Sequence, residues 1–138
     1  MIYEPNQCPF RFGLGVFGDR WSLLIIRDMM FRGFTRFQQF LDAGEGISTN
    51  VLSDRLRRLE ERHIISRQKD PANGRQVLYY LTDQGKELLP VMLAVVEWAE
   101  KYDPKSNLSR EMAERMQADL SGVGEEMSVT VKPSSPHT

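Results

Sequence analysis

The sequence predicts a mainly α-helical domain with one small antiparallel β-hairpin set before its last helix. Three observations carry this. Apolar residues recur at helical spacing in successive segments, each opened by a proline or a capping side chain. The periodicity switches to near-alternation after Ile64, where Asn73-Gly74 is a strong hairpin-turn signal. A long apolar segment then returns after Thr82. At 138 residues the chain has room for one domain with a real core and little more.

Cys8-Pro9 starts helix one, because a proline at the first helical position gives up no bond the helix would have made. Gly18 breaks it, and Asp19 caps helix two, which runs to about Phe31 with Leu23, Leu24, Ile26 and Met30 on a core face. Gly33 ends that helix. Thr35 caps helix three, which carries Phe37, Phe40 and Leu41 and stops at Gly44-Glu45-Gly46. Ser48 caps helix four, residues 48–63, where Leu52, Leu56 and Leu59 follow i, i+4, i+7 and must face the body of the domain. Thr49, Asn50, Ser53, Asp54 and Arg57 are therefore left outward.

The hairpin strands are 65–69 and 76–81, joined by Asp70-Pro-Ala-Asn-Gly74. Thr82 caps a long final helix with Leu88, Leu89, Met92, Val95, Val96 and Ala99 on its apolar side, kinked at Pro90 and stopped by Asp103-Pro104. Helices three and four, with their short glycine-containing connection, read as a helix-turn-helix, and the hairpin as its wing. The domain spans 8–102. An extra C-terminal helix falls in 103–120, over 108–120, and 121–138 has little to bury and reads as a disordered tail.

Formal net charge is −1, which argues against a generally cationic coat but not against a local patch. Charge is polarised: residues 48–76 sum to +3, and residues from 100 onward to −2. The single cysteine, Cys8, excludes an intrachain disulfide and a cysteine-based zinc site. The start, Met1-Ile-Tyr-Glu-Pro-Asn6, has neither the basic residues nor the apolar run of a signal peptide, and the longest apolar run, 88–96, is about half a membrane span. A cytoplasmic protein without membrane contact is expected. His63 and His137 lie at a helix end and in the tail. Neither a catalytic triad order, a phosphate-cradling glycine loop nor metal-ligand spacing is present, so no enzyme, metal or cofactor is expected.

Several motifs resemble the HxlR-type bacterial transcriptional regulators. They are Cys8-Pro9, Gly18-Asp19-Arg20-Trp21 leading into Leu23-Leu24-Ile25, Arg36-Phe37, Gly46-Ile47-Ser48, and Val51-Leu52-Ser53 followed by Arg55-Leu56 and Leu59-Glu60. Tyr79, Leu81-Thr82, Gly85, Leu88-Leu89-Pro90 and Glu97-Trp98 complete the pattern, which covers about residues 8–102. The resemblance implies a MarR-like winged helix acting as a homodimer on double-stranded operator DNA. Three departures stand out. Thr49 stands where the family often has proline. Gly44-Glu45 replaces a common Leu-Pro before the reading helix, and Arg75-Gln76 occupies the place where the family often has an arginine nearer the second strand.

On that reading, Thr49, Asn50 and Ser53 lie where a recognition helix reaches base edges, Asn50 suiting adenine and Thr49 a thymine methyl. Ser48 either caps the helix, worth about 1 kcal/mol, or touches phosphate beside the unpaired N–H groups of the helix start. Arg57 is the favoured groove or phosphate arginine, whereas Arg55 and Arg58 pair as readily with neighbouring acids. Arg67, Lys69 and Arg75 of the wing suit phosphates or a minor groove, and Arg36 is a weaker phosphate candidate. Phe10, Phe12, Leu14 and Phe17 of helix one, with Leu93, Val96 and Trp98 of the last helix, exceed what one small core needs and suggest the dimer interface.

Cys8 stands at a helix start, where the dipole favours negative charge. The resemblance implies a thiol sensor there, since some family members respond to oxidants through an N-terminal cysteine. The alternative is a small residue that caps helix one and fills the interface. A winged-helix protein-interaction module that never touches DNA is the rival reading of the whole chain. Any small-molecule effector is unknown; a ligand pocket under Met29, Met30, Phe31 and Phe34 is one reading of residues that are more often plain core.

Overall fold

A computed structural model describes residues 5–105, so the expectations for 108–120 and 121–138 lie outside the described residues. After a 3-10 turn, Pro5–Gln7, the order is α1 Pro9–Phe17, α2 Arg20–Phe31, α3 Phe37–Leu41, α4 Thr49–Glu61, β1 Ile65–Asp70, β2 Asn73–Leu81, α5 Asp83–Lys86 and α6 Leu89–Tyr102. Helices α2, α3, α4 and α6 and the base of the hairpin close over one core. Its centre is Ile26, Met29, Leu52, Leu56, Leu59, Ile65 and Leu81, with Phe40, Ile47, Met92 and Leu93 around it. The Met29–Met30 cluster is part of that core, and Phe31 and Phe34 pack against it.

The expected caps on α2 and α4 form. The Asp19 carboxylate accepts from the Ser22 amide at 3.0 Å, and Ser48 Oγ accepts from the Val51 amide at 3.1 Å. The end of α4 is a Schellman turn: His63 is left-handed at φ 63°, its amide bonding Glu60 O and the Ile64 amide bonding Leu59 O.

Five sequence expectations need correction. The buried residues of α2 are Ser22, Ile25, Ile26, Asp28, Met29 and Met30, so Ile26 and Met30 face the core as expected, whereas Leu23 packs against it only partly buried and Leu24 is likewise half-buried. Arg36, not Thr35, caps α3. Gln39 Oε1 accepts from both the Thr35 and Arg36 amides, while the Thr35 carbonyl takes the Tyr79 amide at 2.8 Å. The hairpin reverses at Pro71-Ala72, not at Asn73-Gly74, because Asp70 Oδ1 accepts from the Ala72 amide at 2.9 Å and makes the turn itself.

The last helix is two helices. Thr82 caps the short α5, and α6 begins anew at Leu89, so Pro90 occupies the first turn of a helix, where it forces no kink. Finally, Leu93 is 5% exposed and belongs to the core, while Val95 is 51% exposed and does not.

The β1–β2 ladder pairs Ile65 with Leu81 through to Lys69 with Val77, then jumps to Asp70 with Asn73. This irregularity leaves the wing tip as a loop-like extension beyond a regular base. None of the helices among the described residues is long and apolar enough to cross a membrane.

Candidate nucleic-acid interface

Packing decides which side of α4 is presented. Leu52, Leu56 and Leu59 are at most 2% exposed, so Thr49, Asn50, Ser53 and Arg57 are left as an outward stripe running from the nose of the helix along its length. Ser48 is used as the cap.

The turn before α4 needs two left-handed residues, and glycine supplies both, Gly44 at φ 91° and Gly46 at φ 80°. Glu45 between them is tied back to α2, at 3.1 Å from Arg27 Nη1 and 3.8 Å from Arg20 Nη2. An ionic tether thus restrains a connection that glycine alone would leave loose. Arg27 also pairs with the buried Asp28, whose carboxyl burial pushes above its ordinary value despite the arginines beside it.

The arginines of α4 divide by partner. Arg55 is 19% exposed and bonds Asp19 at 3.0 Å and Asp54 at 2.6 Å, so its role is to hold α4 against the start of α2. Burial pushes the Asp19 carboxyl up, but the bonds from Ser22 and Arg55 outweigh it and hold it below its ordinary value. Arg57 lies on the outward stripe, yet it bonds Asp54 at 2.6 Å and Glu61 at 3.0 Å. Arg58 reaches Asp54 at 2.9 Å. Asp54 therefore holds three guanidinium groups. The i, i+3 and i, i+4 spacings to Arg57 and Arg58 were readable in the sequence as its signal.

In the wing, Arg67 leans on Glu60 at 3.6 Å. Lys69 and Arg75 are exposed and have no ion-pair partner among the described residues. Arg36 keeps a partly exposed side chain but is engaged within the protein: Nη2 pairs with Asp70 at 2.9 Å and Nη1 donates to Gln76 at 2.8 Å. Cys8 caps α1 without a side-chain bond and is half-buried beside Arg11, Phe12 and Arg62, in an open cleft of about 180 Å³. No group of three or more His, Cys, Asp or Glu suited to a metal ion exists among the described residues.

A short helix, a glycine turn, a second helix with a polar outward stripe and a flanking basic hairpin define a winged helix-turn-helix transcriptional regulator. The chain belongs to the HxlR-like helix-turn-helix family, which residues 16–107 match. An HTH-type transcriptional regulator of Synechocystis is 38% identical over 105 residues, covering 73% of this chain and 77% of that protein. The HTH-type transcriptional regulator YodB of Bacillus subtilis is 33% identical over 98 residues, 70% of this chain and 87% of YodB. The oxidized form of the redox regulator HypR superposes with a TM-score of 0.62 at 30% identity, covering 73% of this chain and 100% of that one. Reduced YodB gives 0.59 at 30% identity over 73% and 99%. The protein is thus a MarR-like transcriptional regulator and not an enzyme.

Proposed function

We propose that the protein binds operator DNA as a homodimer, laying α4 in the major groove and the β1–β2 wing along the adjacent backbone. The carrying observation is the outward stripe of Thr49, Asn50, Ser53 and Arg57 on a helix whose opposite face is fully buried. Thr49, Asn50 and Ser53 read base edges, and Ser48 stays with its cap. Arg57, Arg67, Lys69 and Arg75 supply phosphate or minor-groove charge, while Arg36 at the wing's base is engaged by Asp70 and Gln76. Two copies place their reading helices about 34 Å apart, one helical turn of DNA. Binding of a promoter fragment retained from its own genome is expected to weaken about 10³-fold or more between 50 and 200 mM salt if at least six phosphates are neutralised. A flat salt curve would instead favour a protein-interaction module.

Asp54 tempers this surface. Substituting Asp54→Asn releases Arg57 and Arg58, so affinity for DNA of arbitrary sequence should rise several-fold at low salt. The salt slope should steepen by about 0.9 for each phosphate newly contacted, and an unchanged slope in a titration would show that Asp54 does not keep these arginines from phosphate.

Control by thiol chemistry is the second part of the proposal. HypR is described as a redox regulator and YodB was also crystallised after diamide treatment. In this chain Cys8 stands at the start of α1, beside the exposed Phe10 and Phe12. Oxidation joining the cysteines of two subunits would reorient α1 and the spacing of the reading helices. Diamide should release the operator from the native protein but not from the Cys8→Ser variant, which keeps its basal binding. Release that persists in Cys8→Ser would refute the sensor.

A further inference from the structure

Arg36, Asp70 and Gln76 form a bridge that the family resemblance does not describe, and it lies at a telling place. Asp70 is 6% exposed, yet it stands at the point where the β-ladder loses register, its backbone pairing with Asn73 after Lys69 has paired with Val77. Gly74, Arg75 and Gln76 consequently have no opposite residue on β1. The Arg36 guanidinium spans that gap, one arm on Asp70 of β1 at 2.9 Å and the other on Gln76 of β2 at 2.8 Å. The remaining Asp70 oxygen forms the turn through the Ala72 amide at 2.9 Å. Arg36 itself is fixed at the N-cap of α3, next to Thr35, whose carbonyl takes the Tyr79 amide of β2.

We infer that Arg36 is a positioning residue that sets the angle of the wing through Asp70 and Gln76, rather than a phosphate contact. The two exposed wing cations with no ion-pair partner among the described residues, Lys69 and Arg75, each directly precede a bridged residue, Asp70 and Gln76. The bridge therefore fixes where both charges emerge, and couples the wing to the first helix of the helix-turn-helix. A bidentate fork does this because its planar donors leave little angular freedom, which a lysine ammonium would not match. The inference rests on the DNA-binding reading for its functional consequence and on the hairpin geometry alone for its structural one.

The test turns on a sign. Asp70→Asn removes a negative charge from the wing. If Arg36 served phosphate, losing its competitor would strengthen DNA binding. If the bridge positions the wing, Asp70→Asn weakens operator binding about tenfold despite the gain in net positive charge. Arg36→Met should weaken it equally while leaving the salt slope unchanged, since no phosphate contact is lost. Arg36→Lys, which keeps the charge but not the fork, should resemble Arg36→Met. The double variant Arg36→Met with Asp70→Asn should lose no more than either alone.

Hydrogen exchange on the DNA-free protein supplies the independent measurement. The Val77 and Tyr79 amides should exchange faster in each variant while those of Leu56 and Leu59 keep their protection. Stronger binding by Asp70→Asn, a slope reduced by about one in Arg36→Met, or unaltered hairpin exchange would each overturn the inference. Absence of salt-dependent binding by the native protein would refute the DNA reading, leaving hairpin exchange to decide the bridge.

Discussion

Gly85→Ala is expected to lower stability by about 3 kcal/mol, a large effect for a single added methyl group. A Cβ at Gly85 would stand 2.2 Å from the Ile64 carbonyl oxygen and 3.1 Å from a Leu81 methyl, so backbone must move. The neighbourhood leaves nowhere to move to. The Thr82 amide donates to Ile64 O at 3.0 Å, the Thr82 hydroxyl donates to the His63 carbonyl at 2.6 Å, and that hydroxyl accepts the Gly85 amide at 3.0 Å. These bonds staple α5 to the junction where α4 ends and β1 begins. The melting temperature should fall by roughly 10–20 °C for a domain of this size, read by thermal denaturation. A fall of less than a few degrees would mean that the junction relaxes freely.

In the homodimer proposed above, Trp98→Glu should leave a monomer and weaken operator binding about 100-fold or more, because each monomer then engages one half-site without the effective concentration its partner provides. Val95, Trp98 and Tyr102 lie at i, i+3 and i+7 on α6, are 51%, 67% and 68% exposed, and face away from the core stripe of Met92 and Leu93. Trp98 and Tyr102 already contact each other, ring centroids 5.2 Å apart. On α1 no residue is buried, and Phe10, Phe12 and Leu14 are 80%, 67% and 59% exposed. A helix apolar on both sides is a helix meant to be covered on both. Light scattering on the variant decides it, and a Trp98→Glu protein that remains a dimer would place the interface elsewhere.

The parts of the fold that were legible in the sequence are those governed by neighbours along the chain. Asp19 and Ser48 cap because their side chains reach amides three residues on, and Leu52, Leu56 and Leu59 fix the buried face of α4 by spacing alone. The separation of α5 from α6 was missed because a proline in the first turn of a new helix and a proline kinking an old one leave the same local pattern. The hairpin turn was misplaced because Asp70 competes with Asn73-Gly74 for the reversal, and it prevails with a bond to Ala72. Hidden altogether were the long-range pairs, Arg55 to Asp19 and Arg36 to Gln76, 36 and 40 residues apart. Arginine content showed that the surface was basic. Only the fold shows which arginines are already engaged.

Asp19 has a consequence beyond its cap. One carboxylate closes the start of α2 and grips Arg55 of α4, and it follows α1 by a single glycine, Gly18. It acts as a crank pin shared by two shafts: a tilt of α1 is delivered across one residue to a carboxylate whose loss would leave the half-buried Arg55 with Asp54 alone. The mechanical distance from Cys8 to α4 is thus one nine-residue helix and one ion pair.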